Sequence, residues 1–344
     1  MVAESGDNTR VHYNPLMLLA GDLGGTKTLL GLFERPSPHD ASDRRPTQVT
    51  AHAYPTQEFS SFSAILDAFA RDVGRAFAID AVGVGVAGPI VNRAAKLTNV
   101  DFDVSASAIG RHLGTTRVLL LNDLEAMAYS VDVLDGDELV TLQAGEPNPE
   151  GNAAVIAAGT GLGQAYLHRI DGRLLPVASE GGHADFAART DREFDLARML
   201  RRDFGRAEVE QVLSGPGLVH LYRLTHREKR CEIVGDVEPA ALPSAISDAA
   251  LHGKCAQCQA ALQMFAEAYG AEAGNLGLRG VATAGVFVGG GIAPKILPAL
   301  QDGRFMDAFR AKAPMSALVS KMPVRVIVNP DAGLLGAAVA ALHL

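Results

Sequence analysis

The stretch AGDLGGTKTLLGLFE, residues 20–34, places a glycine turn between two apolar runs, LMLLA before it and LLGLF after it. A second turn of the same kind, AAGTGLGQAYL at residues 157–167, lies between AAVIAA and QAYL. Apolar run, glycine turn, apolar run predicts a β-hairpin with an exposed tip. Glycines at such a tip let main-chain N–H groups face outward and approach a ligand closely, which is how phosphate oxygens are held without a large side chain. Two such tips predict a polyphosphate gripped from both sides, and so a nucleotide clamped between two related domains.

The bulk properties agree. A chain of 344 residues is long enough for two domains, each with its own core. Hydrophobic residues make up 48% and charged residues 20%, ordinary for a soluble globular protein. The net charge of −8 argues against nucleic acid or a membrane surface as partner, since both need a cationic face. The basic clusters Arg198, Arg201, Arg202, Arg206 and Arg223, Arg227, Lys229, Arg230 have the spacing of solvated helix faces. Three cysteines, Cys231, Cys255 and Cys258, are too few for a disulfide framework and suit a reducing cytoplasm. His252, Cys255 and Cys258 fall at three-residue steps, but no second cluster completes a four-ligand set, so a helix carrying small buried thiols is expected. No apolar run reaches about 18 residues, so no transmembrane helix is expected. Residues 1–15 lack the apolar stretch of a signal peptide and read as a disordered polar lead-in.

Along the chain, RPSPHDASDRRPT reads as a surface loop, and residues 59–77 carry apolar side chains at helical spacing: Phe62, Ile65, Leu66, Phe69, Val73. The run AVGVGVAGPI reads as a buried strand. Gly83, Gly85 and Gly88, with Asp103 beyond, match a dinucleotide fingerprint, but they lie inside the strand and no helix opens behind Pro89. Close packing of backbone or ligand is the better reason for them. Residues 118–121 form a short apolar strand ended by Asn122-Asp123, and LEAMAYSV begins a helix. Strand, crossover, strand repeats through this half, which implies an α/β sheet with parallel strands. The second half continues through helices at 193–202 and 256–276 to GVFVGGGIAPKIL, a strand, a triple-glycine turn and a helix opened by Pro294. DAGLLGAAVAAL reads as a small-residue helix able to pack tightly on another backbone.

Four places could carry chemistry. Asp22 follows an apolar strand and precedes Gly24-Gly25-Thr26-Lys27; a P-loop needs glycine directly before the lysine, and Thr26 stands there instead. A carboxylate beside this turn suits hydrated Mg²⁺, which takes one or two carboxylates plus phosphate oxygens, while plain hairpin geometry would also use the glycines. Asn122 with Glu125 reads as a capping box, or Asp123 stands at the carboxyl end of a parallel strand, where open α/β sheets place ligands. In SEGGHADF, residues 179–186, Glu180 and His183 flank a glycine pair and project from a sharp turn; a histidine satisfied by a nearby carboxylate is the alternative. Glu210 precedes VLSGPGL. Several acceptors and one imidazole suit a polyhydroxylated substrate, whose hydroxyls need partners when desolvated.

Together these motifs resemble the bacterial glucokinase family, hexose kinases of the actin-like ATPase superfamily. GDLGGT, TNVDF, LLNDLEA, AAGTGLG, SEGGHADFA, EQVLSGPGL, GVFVGGGIAPK and GLLGAAVA occur in that family's order from about residue 16 onward. The resemblance implies a two-domain actin-like ATPase (ribonuclease H-like) α/β fold with an interdomain cleft. The small domain would be 16–133 plus 329–344, and the large domain 134–328. It implies ATP on Gly21, Asp22, Leu23, Gly24, Gly25, Thr26 and Lys27, on Gly159, Thr160 and Gly161, and on Gly289, Gly290 and Gly291. Mg²⁺ would sit near Asp22 through water. Glucose would be lined by Asn99, Asn122, Asp123, Glu180, His183 and Glu210, with Asp123 as catalytic base, in a cytoplasmic homodimer. Lys27 stands where many relatives carry asparagine, and Phe102 where tryptophan is common. The related repressor-kinase group usually carries a cysteine-rich zinc loop, which this sequence lacks. A sugar-sensing regulator without turnover and a kinase for another hexose are the competing readings; intact Asp22 and Asp123 favour the enzyme.

Overall fold

In a computed structural model of the chain, residues 16–36, 44–74, 78–97, 100, 102–227, 231–235 and 237–344 are described. Asn99, the lead-in 1–15, Lys229 and Arg230 lie outside them. The chain divides into two compact units, Met1–Asp123 with Ala337–Leu344, and Leu124–Gly336. The sequence reading puts these boundaries at 133/134 and 328/329.

The first unit opens with β1 (Leu16–Leu23), β2 (Lys27–Glu34), β3 (Thr47–Pro55), α1 (Phe62–Val73) and β4 (Ala78–Val86). β5 (Ile90–Val91), β6 (Ala94–Lys96), β7 (Asp103–Ser105), α2 (Ala106–Leu113) and β8 (Val118–Asn122) follow. Five of the strands form a sheet in the order β3-β2-β1-β4-β8, with β1, β4 and β8 parallel and the β1–β2–β3 meander antiparallel. The small β5-β6-β7 sheet has no counterpart in the sequence reading. α1 is shorter than its apolar spacing predicts because both ends are capped. The Ser61 hydroxyl accepts the Ala64 N–H at 3.1 Å, and Gly74 ends the helix at φ +65°. Gly83 of β4 serves close packing: a Cβ on it would run into the Ala337 carbonyl of α11 (Ala332–Leu342). A helix of small residues can approach a strand that closely only where the strand lacks a side chain.

The second unit begins with α3 (Asp123–Tyr129), whose first residue belongs to the first unit, then β9 (Leu139–Gln143), β10 (Ala153–Ala158), β11 (Leu162–Ile170) and β12 (Arg173–Ser179). Helices α4 (Asp191–Phe204), α5 (Gly215–Thr225), α6 (Leu242–Leu251) and α7 (Ala256–Gly280) lead to β13 (Gly285–Gly289). The short helices α8 (Leu297–Leu300), α9 (Arg304–Arg310) and α10 (Ser316–Val319) precede β14 (Val324–Ile327). The sheet order is β12-β11-β10-β13-β14-β9. Its first five strands repeat the pattern of the other unit: an antiparallel three-stranded meander whose first strand is followed by two parallel neighbours. β10 is apolar throughout because both faces are covered. Ala154, Ile156 and Ala158 enter the core beneath α5, α6 and α7, while Ala153 and Val155 enter a second core with Leu124, Phe287 and Ile327.

Two expectations are corrected. Beyond the triple glycine there is no continuous helix but a 3₁₀ turn, Ala293–Ile296, and the four-residue α8. Pro294 and Pro298 stand at their first turns, where a ring without an N–H cannot extend a preceding helix. The cysteines are free thiols, but they are not merely buried on one helix. His226 joins Cys231, Cys255 and Cys258 in one cluster, whereas His252 faces Asp248.

Candidate active site

In the first unit, β1 and β2 meet in a tight tip. Gly24 N–H donates to the Lys27 carbonyl at 3.0 Å, leaving Gly25 and Thr26 outermost, and no described protein acceptor faces their N–H groups. The tip is held from below by Thr56, which lies beyond β3. Its hydroxyl donates to the Gly24 carbonyl at 2.8 Å and its N–H to the Thr26 carbonyl at 2.9 Å. Because that hydroxyl proton is committed to Gly24, the buried Thr28 hydroxyl, 2.8 Å away, is the donor in the Thr28–Thr56 pair.

Asp22 is half-buried near the end of β1, in register with Gly85, and Leu23 is aligned through Val86 with Asn122 on β8. The carboxyl ends of β1, β4 and β8 therefore form one edge, with the outer two strands about 10 Å apart. Asn122 donates from Nδ2 to the Gly88 carbonyl at 3.4 Å, and Asp123 is exposed at the start of α3.

The second unit repeats the tip between β10 and β11. Gly159 N–H donates to the Gly161 carbonyl at 2.8 Å, and no described acceptor faces the N–H groups of Thr160 and Gly161. The next parallel strand, β13, ends at Gly289 beside Ala157. Gly290 turns away with φ +83°, a conformation that favours glycine, and a Cβ there would strike the Ala158 carbonyl. Beside Gly159 and Gly291 a Cβ would meet nothing within 4 Å. Main chain with open space beside it thus lies at the carboxyl ends of adjacent parallel strands, the edge where open α/β sheets place ligands. α5 starts behind this tip: Ser214 caps it, accepting the Gly217 N–H at 3.0 Å, and Gly215 N–H donates to the Gly159 carbonyl at 2.8 Å. A helix N-terminus carries partial positive charge, which favours an anion nearby.

Glu180, His183 and Glu210 come together here. Gly181–His183 is a single 3₁₀ turn capped by Glu180, and both Glu180 and His183 are exposed. The Glu210 N–H donates to the Gly182 carbonyl at 2.8 Å, and its side-chain Oε2 accepts the Leu162 N–H at 2.8 Å. Glu210 thus joins the SEGGH turn to the second glycine tip. His183 Nδ1 lies 3.5 Å from Glu208 Oε2, and Arg206 donates to the His183 carbonyl.

Three residues escape the sequence reading: Thr56, Glu208 and Tyr269. Arg206, read as part of a solvated basic helix face, is exposed but stands beyond the end of α4 and donates to the His183 carbonyl. Tyr269 is wholly buried on α7. Its hydroxyl accepts the Ala158 N–H at 3.1 Å and donates toward the Ile156 and Gly289 carbonyls, both at 3.3 Å. It ties the end of β10 to the end of β13, and burial pushes its hydroxyl pKa up. A tyrosine amid the small residues of α7 is the one signal the sequence holds for it.

Residues 19–344 match the family model described as Glucokinase. The chain belongs to the glucokinase family. It is similar to the glucokinase of Nostoc sp., 36% identical over 345 residues that cover 95% of this chain and 99% of the relative. The glucokinase of Nostoc punctiforme is 38% identical over 346 residues, covering 95% of this chain and 99% of the relative. Among solved structures, a glucokinase from an Antarctic psychrotroph superposes with a TM-score of 0.84 at 30% identity, covering 95% of this chain and 99% of that one. The repeated meander of the two units is accordingly the actin-like ATPase fold, and the glucokinase-family reaction is ATP-dependent phosphorylation of glucose.

Proposed function

We propose that the protein transfers the γ-phosphoryl group of MgATP to the 6-hydroxyl of D-glucose, giving glucose 6-phosphate and ADP, with Asp123 as general base. Asp123 accepts the proton of the 6-hydroxyl as that oxygen attacks the γ-phosphorus in line and the bond to the bridging oxygen of ADP breaks. The observation carrying this reading is an exposed carboxylate at the carboxyl end of parallel strand β8. Asn122, Glu180, His183 and Glu210 line the sugar, the last three at hydroxyls remote from the reacting one. Asn99 is assigned to the sugar on family resemblance alone.

Phosphoryl transfer needs positioning and charge stabilisation more than covalent help. The N–H groups of Gly25, Thr26, Thr160 and Gly161 supply fixed donors for phosphate oxygens, and Gly289–Gly291 borders the nucleoside. Asp22 offers one of the one or two carboxylates that hydrated Mg²⁺ takes and would hold it through water; the ion would supply neutralisation of the β- and γ-phosphates when bound. The net charge of −8 favours small-molecule partners over nucleic acid or anionic lipid, and no helix among the described residues is long and apolar enough to cross a membrane.

The test is a coupled ADP-release assay with MgATP over a sugar panel, run on wild type and Asp123→Ala. Glucose is expected to give the highest kcat/KM. The variant is expected to lose roughly 10²–10⁴-fold in kcat, the range for a missing general base. Equal or greater kcat/KM for fructose defeats the substrate assignment, and near-normal turnover in a folded variant defeats the base assignment.

A further inference from the structure

Outside the sugar and nucleotide residues, one cluster of metal-ligating side chains gathers in the second unit. His226 follows the last turn of α5, Cys231 lies in the connection beyond it, and Cys255 and Cys258 stand at the start of α7. One ligand atom from each lies within 4.8 Å of all the others. Cys231 and Cys258 are buried in the main core of the unit, while His226 and Cys255 are half-buried at its margin.

The imidazole decides what this cluster is for. His226 Nδ1 lies 2.9 Å from the Tyr222 carbonyl, which can only accept, so Nδ1 carries the proton. The Thr225 hydroxyl, 3.2 Å from Nδ1, gives its own proton to the same carbonyl and leaves a lone pair for Nδ1–H. A neutral ring protonated on Nδ1 presents a bare lone pair at Nε2. That atom faces Cys255 Sγ at 3.4 Å and Cys258 Sγ at 3.9 Å, and Cys258 Sγ lies 4.0 Å from Cys231 Sγ. A backbone carbonyl fixing the tautomer and orientation of a ligating histidine is the usual outer support of a metal site.

We infer that His226, Cys231, Cys255 and Cys258 form a tetrahedral three-cysteine, one-histidine site for a structural zinc ion. With Zn–S near 2.3 Å and Zn–N near 2.0–2.1 Å, a tetrahedron has S···S edges of about 3.8 Å and S···N edges of about 3.6 Å. The S···N separations of 3.4 and 3.9 Å bracket the second value, and the S···S separation of 4.0 Å is close to the first. The sulfurs are far beyond the roughly 2.05 Å of a disulfide. Thiolate and imidazole donors in tetrahedral array select zinc over hard cations. Cys255 is the N-cap of α7 and Cys258 lies three residues on, the C-x₂-C spacing of a zinc half-site, at a helix end that favours thiolates.

The ion would join the end of α5 to the start of α7 across the connection that contains α6. The far end of α5 begins at the Gly159 tip, and its eleven residues put the zinc about 16 Å away along the helix. The site is therefore structural, with all four positions filled by protein and none left for substrate. It does not depend on the residue roles proposed above.

The experiment is elemental analysis of the full-length protein, produced with added Zn²⁺, kept under reductant and dialysed against EDTA. About one zinc per chain is expected, as for a closed site. Exchange with Co²⁺ is expected to give the visible d–d bands and the thiolate-to-cobalt charge-transfer band of a tetrahedral thiolate site. His226→Gln and Cys255→Ser, at the half-buried positions least exposed to a folding failure, are each expected to weaken zinc retention at least tenfold and remove the charge-transfer pattern of the intact site. A wild-type protein without zinc, with three freely titrating thiols and no cobalt spectrum, overturns the inference. So does a Cys231–Cys258 disulfide found by mass spectrometry in protein that never held metal, or unchanged zinc content in both variants.

Discussion

Glu210 and Leu162 are joined across the second glycine tip: the Leu162 backbone N–H donates to Glu210 Oε2 at 2.8 Å. The same carboxylate sits close over residue 161: a Cβ there would lie 2.6 Å from Glu210 Oε2 and push the carboxylate aside. A residue assigned to the sugar thus also shapes the turn assigned to the phosphates.

Glu210→Ala should therefore affect both substrates. It leaves the Leu162 N–H without its acceptor, a loss of about 1–3 kcal/mol, and KM should rise for glucose and for ATP together. Glu210→Gln keeps an acceptor oxygen and should recover most of the stability while remaining impaired for glucose. Gly161→Ala forces the carboxylate aside and should resemble Glu210→Ala. Denaturant midpoints with both KM values check this; a Glu210→Ala enzyme impaired for glucose alone would separate the tip from the sugar.

Tyr269→Phe should destabilise the second unit by about 1–3 kcal/mol, because the buried Ala158 N–H loses the phenolic oxygen it donates to. The ends of β10 and β13 carry both glycine turns of that unit, so KM for ATP should rise several-fold while KM for glucose changes little. Unaltered ATP kinetics in a destabilised variant would reduce Tyr269 to a core residue.

Thr56→Val matches the side chain in shape but breaks two hydrogen bonds, one to the Gly24 carbonyl and one from Thr28. It should weaken MgATP and lower stability by about 1–3 kcal/mol. The double variant Thr28→Val/Thr56→Val removes the orphaned Thr28 hydroxyl and should regain part of that stability, yet none of the nucleotide affinity. Full recovery of both would show that the tip is held by other contacts.

Glu180→Gln and His183→Ala should raise KM for glucose and narrow the preference for glucose over a deoxyglucose, leaving KM for ATP nearly unchanged. A site that bonds a hydroxyl discriminates against the sugar lacking it, because its own polar groups are left unpaired. Glu208→Gln should act in the same direction but more weakly, since the Glu208 carboxylate lies 3.5 Å from His183 Nδ1 and is assigned no sugar hydroxyl of its own. Should Glu180→Gln weaken ATP alone, SEGGH belongs to the nucleotide.

Much was legible without coordinates because it is local. Alternating glycine turns and apolar runs specify hairpins whatever surrounds them, and β1–β2 and β10–β11 form where those runs predict. Ser61 and Gly74 trim α1 by chemistry contained in a few residues. Asp22 and Asp123 are placed by the same local signals, each at the carboxyl end of an apolar run, and the structure puts them at the ends of β1 and β8.

Only the tertiary structure decided which distant residues share a task. Thr56 supports Gly24 from 32 residues away, Tyr269 binds Ala158 across 111, and Glu210 reaches Leu162 across 48. The cysteines make the point most directly. Read along the chain, His252 is the imidazole three residues from Cys255, but it turns to Asp248, and the end of α5 brings His226 to the sulfurs instead. Periodicity and turn chemistry act over one or two turns of chain and are written in order. A donor set is built by packing elements side by side, and no spacing in the sequence encodes which helix ends will meet.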